Sequence, residues 1–335
     1  MAESKLVAGL IGAGRIGKMH AQNIITHIPD VFLKAVADPK LDESWAEKMG
    51  IPVHSLNEDT ILNDPEIEAV VIATSSTAHV AQICAAAQAG KQIFCEKPIA
   101  FKLEAVNEAI AAVKSAGVKL QVGFNRRFDP DFATLKEAVA SGKIGTPHII
   151  RITNRDPIRP DPAFLPDSGG LFMDFSIHDF DTVRFMSGSE VEEVYAAGAV
   201  LIDPEIERLG DIDTALITLK LTGGVLCIID NSRETNYGYD QQVEVFGSMG
   251  SISARNTTPT NTVWSTADGV FTDKPHPSFV ERYKAAFVAE LRAFFTSVRD
   301  RRPTLVSGED ALAAVRIARA AQQSCEQNRP VKVAA

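Results

Sequence analysis

The chain has 335 residues, 45% of them hydrophobic and 23% charged, with a formal net charge of −9. That length exceeds one ordinary core, so two domains are expected, and the composition is that of a globular protein. The acidic balance argues against nucleic acid or an anionic membrane as partner, since both reward clustered Lys and Arg; no apolar run approaches the roughly 18 residues of a spanning helix.

Met1-Ala2-Glu3-Ser4-Lys5 runs directly into a strand without a basic n-region or apolar h-region, so no secretory leader is expected. Leu6 to Ile11 reads as a buried strand, followed by a helix from near Arg15. Phe32 to Ala37 is a second strand ending at Asp38-Pro39, and Ala69 to Ala73 a third. Thr74-Ser75-Ser76-Thr77 then leads into a helix carrying His79 and Cys84, and Gln92 to Cys95 and Lys119 to Val122 complete the series. Apolar strands without alternation, separated by helices, indicate a parallel sheet covered on both faces, hence a doubly wound α/β domain over residues 1–123.

Beyond Gly123 the strands alternate more and lie closer together: His148 to Thr153, Val191 to Ala199, Thr214 to Leu221, Val225 to Asp230, Gln242 to Phe246 and Ser251 to Ala254. They predict a second α/β domain over residues 124–335 with a mostly antiparallel sheet. One helix, about Leu171 to Met186, precedes most of them. Others are expected from Ser278 to about Arg299 and from Gly308 to Gln327, the last read as able to pack back on the first domain. The Pro-rich piece from Asp156 to Pro166 reads as an ordered loop. The four cysteines, Cys84, Cys95, Cys227 and Cys325, lack CxxC spacing, so reduced thiols in a cytoplasmic protein are expected and a metal site is not.

Gly12-Ala13-Gly14-Arg15-Ile16-Gly17 follows a strand and opens a helix, and Asp38 ends the next strand about twenty positions on. Gly12 would allow the tight turn, Gly14 the approach of a pyrophosphate and Gly17 the close packing of helix on strand, with the helix N-terminus facing the phosphates. Asp38 would accept from the adenosine ribose hydroxyls, which favours NAD over NADP, although Lys40 stands nearby. The expected cofactor contacts are therefore Gly12, Gly14, Arg15, Ile16, Gly17 and Asp38.

Asp174 and His178, in Gly169-Gly170-Leu171-Phe172-Met173-Asp174-Phe175-Ser176-Ile177-His178-Asp179-Phe180-Asp181, are four apart. On one helix that spacing puts carboxylate and imidazole on the same face, as proton transfer at neutral pH requires. Beside a redox cofactor, the pair suggests hydride and proton leaving the same alcohol. Asp179 and Asp181 read as structural.

The glycine loop, Glu96-Lys97-Pro98, Gly123-Phe124-Asn125-Arg126-Arg127-Phe128, the Gly169 to Asp181 stretch and Tyr237-Gly238-Tyr239-Asp240-Gln241-Gln242-Val243-Glu244-Val245-Phe246-Gly247 together resemble the Gfo/Idh/MocA oxidoreductases, and within them the inositol 2-dehydrogenases. The resemblance covers nearly the whole chain. It implies an N-terminal Rossmann domain, a C-terminal domain whose large open sheet joins subunits, often into a homotetramer, and a cytoplasmic enzyme of inositol catabolism. It also implies that Lys97, Asp174 and His178 are the catalytic residues, that Thr74, His79 and Glu96 border NAD with Lys97, and that Asn154, Asp156 and Tyr237 join the catalytic residues at the substrate. Inositol dehydrogenases often carry His and Asn where this chain has Asn154 and Asp156, which leaves the specific cyclitol open.

Chemically, a neutral His178 could take the hydroxyl proton, the Lys97 ammonium could stabilise the alkoxide, and Asp174 could orient a hydroxyl or balance charge. The sequence leaves open which of the three is the immediate base. The pocket residues lack an Arg pair for clamping a carboxylate, so a neutral polyol fits better than an acid. The expected reaction is NAD-dependent oxidation of myo-inositol to the 2-ketone. The alternatives are a scyllo-inositol or pyranose dehydrogenase, an NAD-dependent glycosidase, and an NAD-responsive binding protein; the last has no need of a proton-transfer set.

Overall fold

Strands β1 (Leu6–Ile11), β2 (Val31–Ala37), β3 (Val53–Ser55), β4 (Ala69–Ile72), β5 (Gln92–Glu96) and β6 (Leu120–Gly123) form one parallel sheet in the order β3-β2-β1-β4-β5-β6. This is the order of a dinucleotide-binding doubly wound sheet, with the reversal of direction beside β1 and β4. The computed structural model describes residues 5–334, so the leader reading at Met1–Ser4 lies outside the described residues. Every residue of β4 is buried, which is why its sequence Ala-Val-Val-Ile shows no alternation. β3 was not anticipated, since three half-buried residues at an edge carry too little pattern.

The chain divides into two compact units, one running through Phe128 and resuming at Ala285–Ala313, the other comprising Asp129–Lys284 and the chain from Ala314 on. A single cut after Gly123 was expected. The first unit instead takes back the helix Lys284–Arg299 almost entirely, because Leu291, Phe294 and Phe295 are buried in one cluster with Leu6, Ala8 and Leu10 of β1 and Phe94 of β5. Nothing in the local pattern of that amphipathic helix says which sheet its apolar face will cover. The helix Gly308–Gln327 contributes to both units, its first turns to one and the remainder to the other.

The second unit holds a seven-stranded mixed sheet: β7 (Pro147–Arg155), β8 (Val191–Ala199), β9 (Thr214–Leu221), β10 (Leu226–Ser232), β11 (Asp240–Gly247) and β12 (Gly250–Ala254), joined by a two-residue strand Val331–Lys332 beside β8. β10 runs parallel to β7, and the other pairings are antiparallel. An exposed hairpin, Val263–Thr266 with Gly269–Thr272, was also not anticipated.

The helix expected from Leu171 to Met186 is two helices, Leu171–Asp174 and Ile177–Ser187. The Ser176 hydroxyl donates to Asn231 Oδ1 at 2.5 Å, and the Ser176 amide donates back to Leu171 O, one residue farther than the α-helical ladder. Asp174 therefore ends one helix and His178 lies in the first turn of the next, and the single helical face inferred from their spacing is corrected.

An ion pair buried in this unit joins Asp129 to Arg282, with Oδ2 2.6 Å from Nη1 and side chains only 2% and 4% exposed. Asp129 also caps the helix Pro130–Ala140 by accepting from the amides of Asp131 and Phe132. Asp129→Ala removes the cap and the closer partner of a buried guanidinium, leaving it the half-exposed Asp131 at 3.6 Å, so urea unfolding should show a loss of roughly 3–5 kcal/mol. A loss below about 1 kcal/mol would show that the pair is not the anchor argued here.

Candidate active site

The glycine loop has the geometry its sequence suggests. Gly12 adopts φ +96°, and a Cβ there would lie 2.7 Å from the Ala73 backbone. A Cβ on Gly17 would lie 2.0 Å from Gly12 O, so only hydrogen lets the helix Arg15–His27 sit on the turn. Gly14 is exposed, has nothing within 4 Å of a built Cβ, and supplies no side-chain cap to that helix. The first-turn amides are thus left for an anion, and the cradle fits a dinucleotide pyrophosphate. Arg15 is exposed and Ile16 half-buried beside it.

Asp38, directly after β2, accepts from the amides of Ala13 and Lys40, each at 2.7 Å. Its carboxylate therefore braces the glycine turn while standing at the carboxyl end of the sheet, where ligands of such folds bind. Thr74 follows β4 and donates from Oγ1 to Gln82 Oε1 at 2.6 Å. His79, expected to border the cofactor, is 1% exposed, with Nδ1 2.8 Å from Pro98 O and Nε2 3.2 Å from Thr74 O. Burial lowers its pKa, so the ring is neutral and donates from one nitrogen, Nδ1 giving the shorter bond. The imidazole supports the segment after Lys97 and presents no polar atom outward, which corrects its assignment as a direct contact.

Lys97 is half-buried immediately after β5. Glu96, also expected near the cofactor, turns inward instead: its Oε1 lies 2.6 Å from His20 Nε2, and its carboxylate packs where a Cβ on Gly123 would stand. Glu290, from the helix Lys284–Arg299, completes a cluster whose ligand atoms lie within 4.8 Å of one another. The 2.6 Å contact needs a hydrogen between His20 and Glu96, so the group suits a proton better than a metal ion. Both Glu290 oxygens are buried without a hydrogen-bond partner, and burial, aided by the Glu96 charge, pushes its carboxyl well above the usual range. Sequence inspection missed this cluster, since the three residues are remote along the chain.

In the second unit, Asp174 and His178 are half-buried on either side of the helix break. Asp174 Oδ2 faces Arg233 Nη1 at 3.5 Å. Asn154, expected at the substrate, is fully buried: its Nδ2 donates to Asp179 Oδ2 at 2.9 Å and its Oδ1 accepts from Gln241 Nε2 at 2.5 Å. It belongs to a polar row across the sheet, Asn231 on β10, Asn154 on β7 and Gln241 on β11 being register partners. Asn231 Nδ2 also donates to Asp179, so Asn154 holds the frame rather than facing a ligand. Asp156 is half-buried at the end of β7, its amide donating to Ser232 O. The Tyr237 hydroxyl, 2.6 Å from Asp240 Oδ2, donates to that carboxylate and accepts from Arg155 Nη1. Burial and the bond to Asp240 raise its pKa.

The model of the Gfo/Idh/MocA oxidoreductase family, NAD-binding Rossmann fold, matches residues 6–124, and that of its C-terminal alpha/beta domain matches residues 136–333. The chain is 50% identical over 331 residues to the uncharacterized oxidoreductase YrbE of Bacillus subtilis, covering 98% of this chain and 97% of that one. It is 43% identical over 327 residues to the myo-inositol 2-dehydrogenase of Thermotoga maritima, covering 97% and 98%. The crystal structure of scyllo-inositol dehydrogenase from Lactobacillus casei with bound NAD(H) and scyllo-inositol superposes with a TM-score of 0.91 at 30% identity, covering 99% of this chain and all of that one.

The raised Glu290 pKa makes stability depend on pH with a definite sign. An unfolded glutamate releases its proton above its ordinary value of 4.5, while the folded one keeps it, so stability falls as pH rises toward the folded pKa. Glu290→Gln keeps the shape and removes the titration. Relative to wild type, the variant should gain on the order of 1 kcal/mol for each pH unit across that window. A stability difference independent of pH would mean that Glu290 holds no extra proton.

Proposed function

The chain belongs to the Gfo/Idh/MocA oxidoreductase family, and from that premise we propose that it oxidises a ring hydroxyl of an inositol, myo-inositol first, to the ketone. The observation that carries the reading is the joint presence of the NAD cradle at Gly12–Gly17 and the acid–base residues Lys97, Asp174 and His178. NAD supplies the hydride acceptor. His178 takes the hydroxyl proton, since an imidazole is the side chain that changes charge near neutral pH. Lys97 stabilises the alkoxide with its ammonium, and Asp174 accepts a hydrogen bond from a substrate hydroxyl. Asp156 and Tyr237 line the polyol, and Asp38 selects the ribose diol of NAD over a 2′-phosphate. Both units are required, the first for the cofactor and the second for the substrate.

The same reading makes the protein a cytoplasmic homotetramer. Its cysteines are free thiols, and no helix among the described residues is long and apolar enough to cross a membrane. Leu226, Ile149 and Phe246 form an apolar row across β10, β7 and β11, with Leu226 53% and Phe246 42% exposed, and exposed Ile228 follows Leu226 on the same face, in register with the paired Arg151 and Glu244. An exposed apolar row bordered by a charged pair suits association with further copies. Analytical ultracentrifugation should return four times the 36.2 kDa chain mass; a monomer at micromolar concentration overturns the tetramer.

To test the reaction, nicotinamide reduction would be followed with NAD or NADP against myo-inositol, scyllo-inositol, glucose and uncharged glycosides. Reduction of NAD by an inositol is expected, with Lys97→Ala lowering turnover by about 10²-fold or more while NAD binding is kept. Release of a glycoside leaving group without polyol oxidation would replace this reading with a hydrolase. Unchanged turnover in Lys97→Ala would remove Lys97 from the chemistry.

A further inference from the structure

Arg233 follows β10 and is 1% exposed, yet carries a full charge. Its guanidinium meets two carboxylates: Nη1 lies 3.5 Å from Asp174 Oδ2 and Nη2 lies 3.2 Å from Asp211 Oδ2. Its Nε has no hydrogen-bond partner, so the terminal nitrogens alone fix the group. Asp211 turns its other oxygen to the amide of Leu171, 2.9 Å away, at the start of the helix that ends on Asp174. That helix begins after Gly169 and Gly170, both with φ above +80°, and a Cβ on Gly170 would lie 3.1 Å from Asp211 Oδ1. The Arg233 amide donates to Asp213 O, and its guanidinium lies 6.0 Å from the Phe175 ring, next to Asp174.

These contacts close a ring. Asp211 holds the start of the helix, the helix delivers Asp174, Arg233 holds Asp174, and Asp211 holds Arg233. We propose that Arg233, locked by Asp211, is a positioning residue for the polyol oxidation: it grips one Asp174 oxygen from the buried side and supplies its counter-charge, leaving Asp174 in a single orientation for the substrate hydroxyl. The inference rests on the reading of Asp174 as catalytic. The guanidinium is 1% exposed while both its aspartates are half-buried, and one of the two is the residue assigned to the chemistry, which links the buried cation to the site.

Turnover on myo-inositol, or on whichever polyol the panel identifies, would be measured for Arg233→Gln, Arg233→Lys, Asp174→Asn and the double variant Arg233→Gln/Asp174→Asn. NAD binding by fluorescence titration and folding by far-UV circular dichroism accompany each. Arg233→Gln should lose on the order of 10²-fold in kcat with NAD affinity unchanged, and Arg233→Lys should recover part of that loss. The double variant should be no slower than Asp174→Asn alone, because both changes remove one interaction. Multiplying losses, or full kcat in Arg233→Gln while Asp174→Asn is inactive, would overturn the positioning role and leave the catalytic reading standing. Full turnover in Asp174→Asn would overturn the catalytic reading and this inference with it. If Arg233→Gln does not fold, Arg233→Lys carries the same comparison.

Discussion

A carboxylate with no access to water organises the second unit. Asp179 is fully buried and accepts from Asn154 and Asn231, two amides that neighbouring strands hold in register. A charge in such a place is tolerated only where hydrogen bonds replace its hydration, so the helix carrying Asp179 cannot slide or turn on the sheet without leaving it unsatisfied. Asn231 also takes the Ser176 hydroxyl, which fixes the break in the helix, and Gln241 extends the row to the Tyr283 hydroxyl. Asp174 and His178 flank Ser176 along the chain, and their placement follows from this anchor.

The first unit solves the parallel problem with backbone geometry. Its cofactor cradle depends on close approach at Gly12 and Gly17, where any side chain would strike main-chain atoms, and on the Asp38 carboxylate bracing the turn. Beneath it, His20, Glu96 and Glu290 form a buried polar group that the turn itself does not require. Glu96, whose carboxylate meets His20, directly precedes Lys97, and His79 bonds the carbonyl of Pro98 directly after it, so the residues on both sides of Lys97 are tied to buried imidazoles. The alkoxide-stabilising role proposed for Lys97 would need such restraint, because its flexible stem otherwise loses the alignment that electrostatic stabilisation demands.

Much of this was legible in the chain. The strands Leu6–Ile11, Val191–Ala199 and Thr214–Leu221 and the helix Gly308–Gln327 fall at the expected residues, since long runs of consistent burial leave a period in the sequence. The glycine loop was legible because it answers a local steric requirement, whereas the bracing of that turn by Asp38 was not read from the sequence. Asn154 and His79 were read as ligand contacts but are buried supports. Polar residues near a motif look alike in sequence whether they face a ligand or satisfy a neighbour, and only burial separates the two. Arg233, Asp211, His20 and Glu290 carried no signal, as each acts through partners far away along the chain.

The sequence by itself determined the α/β class, the NAD loop, the family and the residue types that can move a proton, all consequences of local periodicity, steric demand or motif. Tertiary structure decided that the helix Lys284–Arg299 completes the first unit, that Asp174 and His178 sit on two helices, and that Arg233 grips Asp174. The physical reason is that periodicity reports which face of an element is buried but not what buries it. A charged side chain's role is set by the counter-charges that the completed fold brings within a few ångströms.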